Sequence, residues 1–148
     1  MANALYDKGR NHFAMGDILW KASGGSSIRC CLVKAAYTPD LANHEFWTSL
    51  GANVVGNSGG ATRADCPAIT LADPVAGVCD SSDVSTTLTT VPGAAGACNY
   101  IAIFKDTGVD GTSLLIALID TGTGLPITPN GGDVVITLDN GANKIFKL

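Results

Sequence analysis

Three stretches in the last third of the chain decide its fold: Tyr100-Ile101-Ala102-Ile103-Phe104-Lys105, Leu114-Leu115-Ile116-Ala117-Leu118-Ile119 and Asp133-Val134-Val135-Ile136-Thr137-Leu138. The first two are short apolar runs rich in residues that favour the pleated conformation, and they read as strands. The third alternates, with Val134, Ile136 and Leu138 on one face and Val135 and Thr137 on the other. Ile145 to Leu148 reads as a closing strand. The connections carry Asp110-Gly111, Thr123-Gly124, Asn130-Gly131-Gly132 and Asn140-Gly141, which supply the positive φ of tight turns.

Working back from this region, Ala52–Val55, Ala68–Leu71, Val75–Cys79 and Val84–Val91 are further short strand segments, and the run from Asp83 to Val91 is dense in β-branched residues. The N-terminal third differs. Leu5, Tyr6, Gly9 and Phe13 recur at helical spacing, predicting an amphipathic helix over Ala2–Ala14 that Gly16 caps. Ile18-Leu19-Trp20 and the strand Ile28–Lys34, joined through Ser23-Gly24-Gly25-Ser26, are expected to pair as a hairpin. Asp40 after Pro39 is a helix N-cap, predicting a helix over Leu41–Leu50 that turns Phe46, Trp47 and Leu50 inward and stops at Gly51. The expected class is mainly β, a sandwich or barrel-like antiparallel sheet with one or two short α-helices in the N-terminal third, as a single domain over 1–148.

Composition supports one packed domain. Of 148 residues, 46% are hydrophobic and 15% charged, against about 25% charged in an average soluble domain. A surface built of Ser, Thr, Asn, Gly and Ala costs little to desolvate, which suits a protein packed against neighbours. The net charge is −4, and the nine Lys and Arg are scattered, so no phosphate-neutralising patch forms and nucleic acid is excluded as a partner. The polar start, with Asp7, Lys8, Arg10 and His12, does not read as a signal peptide. The longest apolar run, Leu114 to Ile119, is too short to span a bilayer, so no membrane partner is expected and the chain reads as a soluble product of the cytosol.

Chemistry-bearing motifs read more simply as structure. Asp106-Thr107-Gly108 and Asp120-Thr121-Gly122 share the triplet of aspartic proteases, whose two carboxylates must share a proton across a two-fold axis. Successive strands of one sheet do not provide that layout, and Asp-Thr-Gly is also good turn chemistry. Asp106, Asp110 and Asp120 could converge at one end of a sheet, yet no calcium loop pattern accompanies them. Gly56-Asn57-Ser58-Gly59-Gly60 lacks the Lys-Ser/Thr of a phosphate loop. His12 and His44 fall on predicted helices without an evident nucleophile. Catalytic, cofactor and metal sites are therefore expected to be absent.

The five cysteines, Cys30, Cys31, Cys66, Cys79 and Cys98, form no Cys-x-x-Cys pair, which argues against zinc. Cys30 and Cys31, adjacent in a strand, point to opposite faces and cannot share one core. Small buried side chains and a disulfide among Cys66, Cys79 and Cys98 both remain open readings.

Both ends carry a resemblance. Ala4-Leu5-Tyr6-Asp7-Lys8-Gly9-Arg10 with Phe13, Gly16-Asp17-Ile18 and Trp20 is similar to the start of a widespread group of small tailed-bacteriophage proteins. So are Ile28 to Val33, Tyr37 and Asp40-Leu41-Ala42-Asn43-His44-Glu45-Phe46. The strongest likeness lies in Phe104 to Gly108, Leu115 to Asp120, Gly124 to Asp133, Asp139 to Gly141 and Asn143 to Leu148; Gly56 to Ala97, with its extra cysteines, departs from it. The resemblance implies a virion structural protein assembled in the host cytoplasm, expected to be a capsid decoration (cement) protein that binds the major capsid protein and self-associates. A tail component, such as a fibre-attachment or receptor-contacting subunit, is the alternative. Contacts are expected at Leu5, Tyr6 and Phe13, at the Phe46-Trp47 corner and along open strand edges.

Overall fold

The computed structural model of the protein describes residues 3–82, 85–139 and 144–148. The fold is mainly β, with antiparallel pairing throughout. Strand β1 (Ala4–Leu5) is followed by helix α1 (Asp7–Met15) and strand β2 (Ile28–Lys34). Then come β3 (Val54–Val55), β4 (Ala68–Ile69), β5 (Val78–Cys79), β6 (Ser85–Leu88), β7 (Cys98–Lys105), β8 (Leu114–Ile119), β9 (Val134–Thr137) and β10 (Phe146–Lys147). The main sheet runs β1-β8-β7-β2-β3, with β4 also paired to β2 beside β3, while β5–β10 and β6–β9 form separate two-stranded ribbons.

The main sheet is buried on both faces because its central strands carry apolar residues on both sides rather than at alternate positions only. Ile28, Cys30 and Leu32 of β2 join Ile103 and Ile116 in one core, to which the ribbons contribute Cys79, Leu88, Ile136 and Phe146. Cys31 and Val33 join Phe104, Leu115 and Leu118 in the second core, covered by Tyr6, Tyr37, Trp47, Leu50 and Val54. Cys30 and Cys31 do part to opposite faces. A register break between Ile103 and Phe104 sets Ala117 against Ile103 and Leu115 against Phe104. This leaves Ile116 as the extra residue of a bulge, so Ile116 and Ala117 both enter the ribbon-side core.

The N-terminus differs from the expected helix over Ala2–Ala14. Ala2 lies outside the described residues, and Ala4 and Leu5 pair with Leu118 and Ala117 as an edge strand. The helix begins only at Asp7, and Gly16 caps it in the left-handed conformation at φ 81°. Gly9 explains how α1 lies so close to the sheet: a Cβ there would stand 2.6 Å from the Leu115 carbonyl oxygen. A helix with any side chain at this position could not seat on β8.

Three further expectations are corrected. Ile18–Trp20 does not pair with β2; its segment closes on itself through Ser26 N–H to Leu19 O at 2.7 Å, because β2 takes β7 on one side and β3 with β4 on the other. Leu41–Leu50 is not an α-helix. The Asp40 carboxylate accepts from Ala42 and Asn43 N–H and makes an Asx turn, after which Trp47–Asn53 forms 3-10 turns interrupted at Gly51. Val75–Cys79 is not one strand, since Ala76 and Gly77 adopt positive φ and fold Val75 back onto Val78. Asp83, Val84, Asn140, Gly141 and Asn143 lie outside the described residues, so those ends of the Asp83–Val91 reading and the Asn140-Gly141 turn do too.

Candidate functional site

The two Asp-Thr-Gly triplets are held apart by topology. Because β7 and β8 are antiparallel, with Lys105 opposite Leu114 and Ile101 opposite Ile119, Asp106 and Asp120 sit at opposite ends of the hairpin. Asp106, Asp110 and Asp120 thus do not converge. Asp106 is instead clamped by cations: Arg63 bonds its Oδ1, Arg29 Nε approaches its Oδ2 at 2.8 Å as a charge contact, and Gly108 N–H donates at 3.0 Å. Arg63 also bonds Asp110 and donates to the Gly108 carbonyl at 2.7 Å, while Arg29 Nη1 donates to Cys66 O at 2.6 Å. Burial pushes the Asp106 carboxyl up, but the Gly108 N–H, Arg63 and Arg29 outweigh it and hold the group below the ordinary carboxylate value. A carboxylate fixed in this way cannot share a proton with a second one. It serves as a clasp between the 62–66 segment and the β7–β8 turn. Sequence reading missed both arginines, since their partners lie 43 and 47 residues from Arg63 and no local pattern links them.

The Gly56–Gly60 loop turns its amides inward: Gly56 N–H bonds Gly60 O, Gly59 N–H bonds Gly56 O, and Ser58 N–H bonds Thr89 O. None of these amides is left for a phosphate. Among the described residues no group of three or more His, Cys, Asp or Glu is arranged to hold a metal ion, and no helix is long and apolar enough to cross a membrane.

Both histidines join segments. His44 Nδ1 lies 2.7 Å from the Tyr37 hydroxyl, which in turn lies 3.0 Å from the buried Tyr6 hydroxyl. Burial raises the Tyr6 phenol far above its ordinary range, so it remains a neutral partner in this chain. His12 is held between two carboxylates, with Nδ1 at 2.7 Å from Asp17 and Nε2 at 2.9 Å from Glu45. Burial opposes protonation, but the bonds to Asp17 and Glu45 prevail and raise the ring above its ordinary 6.5. The sign follows directly. A raised folded value gives stability that is full below pH 6.5 and is lost as pH climbs through the folded value. Urea unfolding between pH 5.5 and 8.5 should therefore show declining stability, and His12→Gln should lower stability by about 1 kcal/mol at the acidic end and flatten the decline.

The expected contact residues are distributed otherwise than a partner surface requires. Leu5, Tyr6 and Trp47 are buried core residues. Phe13 and Phe46 are half-buried against the ribbon-side core, with Phe13 edge-on to Phe146 at 5.9 Å and Phe146 edge-on to Trp20 at 5.0 Å. Exposed Met15 and Leu19 flank this aromatic stack in the sequence, and exposed Leu148 follows it; among the described residues Val75, Val109 and Val135 are exposed as well. All five cysteines are free and buried. Cys66 lies in the core opposite that of Cys79 and Cys98, so a bridge from Cys66 to either would have to pass through the sheet. Burial pushes the Cys30 thiol up to about 12 and Cys79 up to about 11.

No protein-family model, curated protein or solved structure matches this chain.

Proposed function

We propose that this protein is a virion structural component of a tailed phage, a capsid decoration protein that binds the major capsid protein lattice and stabilises it. The sequence likeness at both ends supports this reading. The observation that carries it is that Met15, Leu19 and Leu148, each within two residues in the sequence of a member of the Phe13–Phe146–Trp20 stack, stay in solvent. On a chain this poor in charge, such exposed side chains are cheap to dehydrate, and Phe13 and Phe146 beside them in the sequence are half-buried rings. The carboxylates and histidines that could serve chemistry are meanwhile engaged in holding segments together. Each copy would add a modest interface, multiplied by the symmetry of the shell.

The test is copy number with a stability readout. Quantitative mass spectrometry of purified virions should find this chain in amounts comparable to the major capsid protein. Virions lacking it should release DNA at lower temperature or after milder osmotic shock. A few dozen copies or fewer per particle, with an unchanged threshold, would overturn the decoration reading in favour of a tail component.

A further inference from the structure

Cys31 and Cys66 stand opposite one another across an antiparallel pair. Ile28 pairs with Ile69 and Arg29 with Ala68, and Cys30 N–H donates to Pro67 O at 3.1 Å, extending the ladder by one step. The next step sets Cys31 against Cys66, which leaves the short 3-10 turn Arg63–Asp65 in an extended conformation (φ −86°, ψ 129°). Since Cys30 and Pro67 occupy the hydrogen-bonded position, Cys31 and Cys66 take the alternate one, where Cα atoms approach to about 4.5 Å and side chains are closest. That spacing lies within the range of about 4.4–6.8 Å that a disulfide spans. Both side chains are fully buried and enter the same core, whereas Cys30, Cys79 and Cys98 belong to the other. Burial, followed by the neighbouring Cys66 thiol, raises the Cys31 thiol well above its ordinary value, so the closed dithiol is inert.

We infer that Cys31 and Cys66 are a cross-strand disulfide site, closed by exchange with a small-molecule disulfide while the 62–66 segment is away from β2. One thiolate attacks the small disulfide and releases one small thiol; the second attacks the mixed disulfide and releases the other. Two protein thiols are oxidised and one small disulfide is reduced to two thiols, with protons conserved. The bond would fasten the Arg63 clasp covalently to the central strand, whatever the protein's position in a particle.

The full chain, refolded with oxidised glutathione, alkylated and digested without reductant, is expected to give one cross-linked species joining the peptides that contain Cys31 and Cys66. Its melting temperature should exceed that of the reduced protein by roughly 10 °C. Cys30→Ala should keep both results, and Cys66→Ala should lose both. Complete alkylation of all five cysteines after oxidative refolding, or a cross-link involving Cys30, Cys79 or Cys98 in place of Cys31 and Cys66, would overturn the assignment. Fragment-ion mapping of the wild-type chain, which locates the alkylated member of the adjacent Cys30–Cys31 pair, decides the matter even where a variant folds poorly.

Discussion

Trp47→Ala is expected to lower stability by about 3–5 kcal/mol, a large share of the roughly 5–15 kcal/mol that holds a typical domain together. The Trp47 ring is buried and packs on Phe104 with centroids 4.4 Å apart, and its backbone N–H donates to Ser113 O at 2.8 Å. Its removal empties the second core where the 3-10 turns meet the sheet. Urea denaturation followed by far-UV circular dichroism measures the loss. The same experiment separates two roles for the residue. A variant that keeps the wild-type midpoint would return Trp47 to the contact surface.

Asp106→Ala should cost about 2–3 kcal/mol, because it leaves Arg29 without its carboxylate and Arg63 with Asp110 alone to neutralise it. Both guanidiniums retain some solvent, with side-chain exposures of 27% and 17%, which keeps the loss below that of a fully buried pair. The pH dependence has the opposite sign to that of His12. A depressed folded value gives stability that is present above the ordinary carboxylate value of about 3.9 and is lost as pH falls through the folded value. Wild-type midpoints should therefore fall steeply in acid, and Asp106→Ala should lessen that slope. A midpoint at pH 7 equal to that of the wild type would show that the clasp contributes nothing.

The strands that were legible in the sequence are those whose signal is local. Leu114–Ile119 is apolar at every position and forms the strand it predicts, and Ile136 and Leu138 are buried on the face that alternation assigns them, with Val135 and Thr137 exposed. The errors have a common cause. Leu5 and Tyr6 fit a helical repeat, yet the edge of β8 offers backbone partners that a helix starting at Ala2 would leave unpaired, so tertiary pairing overrides the repeat. Asp40 was legible as a cap, but its bonds to Ala42 and Asn43 serve a turn as well as a helix, and the backbone of Phe46 is taken up by Leu114. Ile18–Trp20 lost its expected partner to β7, a strand more than sixty residues downstream of β2. Legibility of the candidate site was poorer still. Arg29, Arg63 and Asp106 meet only in space, as do His12 and Glu45, and spacing along the chain carries no trace of either meeting.

The position of β2 has a kinetic side. It is the third stretch of regular structure in the chain, yet its longest partner is Cys98–Lys105, so on a ribosome it emerges well before the strand that will satisfy its backbone. At synthesis rates of about 5–20 residues per second, that interval lasts on the order of several seconds. Throughout it, Ile28–Val33 is a mostly apolar segment whose β7 edge stays open, the kind that pairs with the wrong chain. Arg29 and Lys34, the two charges within β2, act as gatekeepers during the wait. Nascent chains compete with one another most where a protein is made in bulk, and there the yield of folded protein is set by the arrival time of β7.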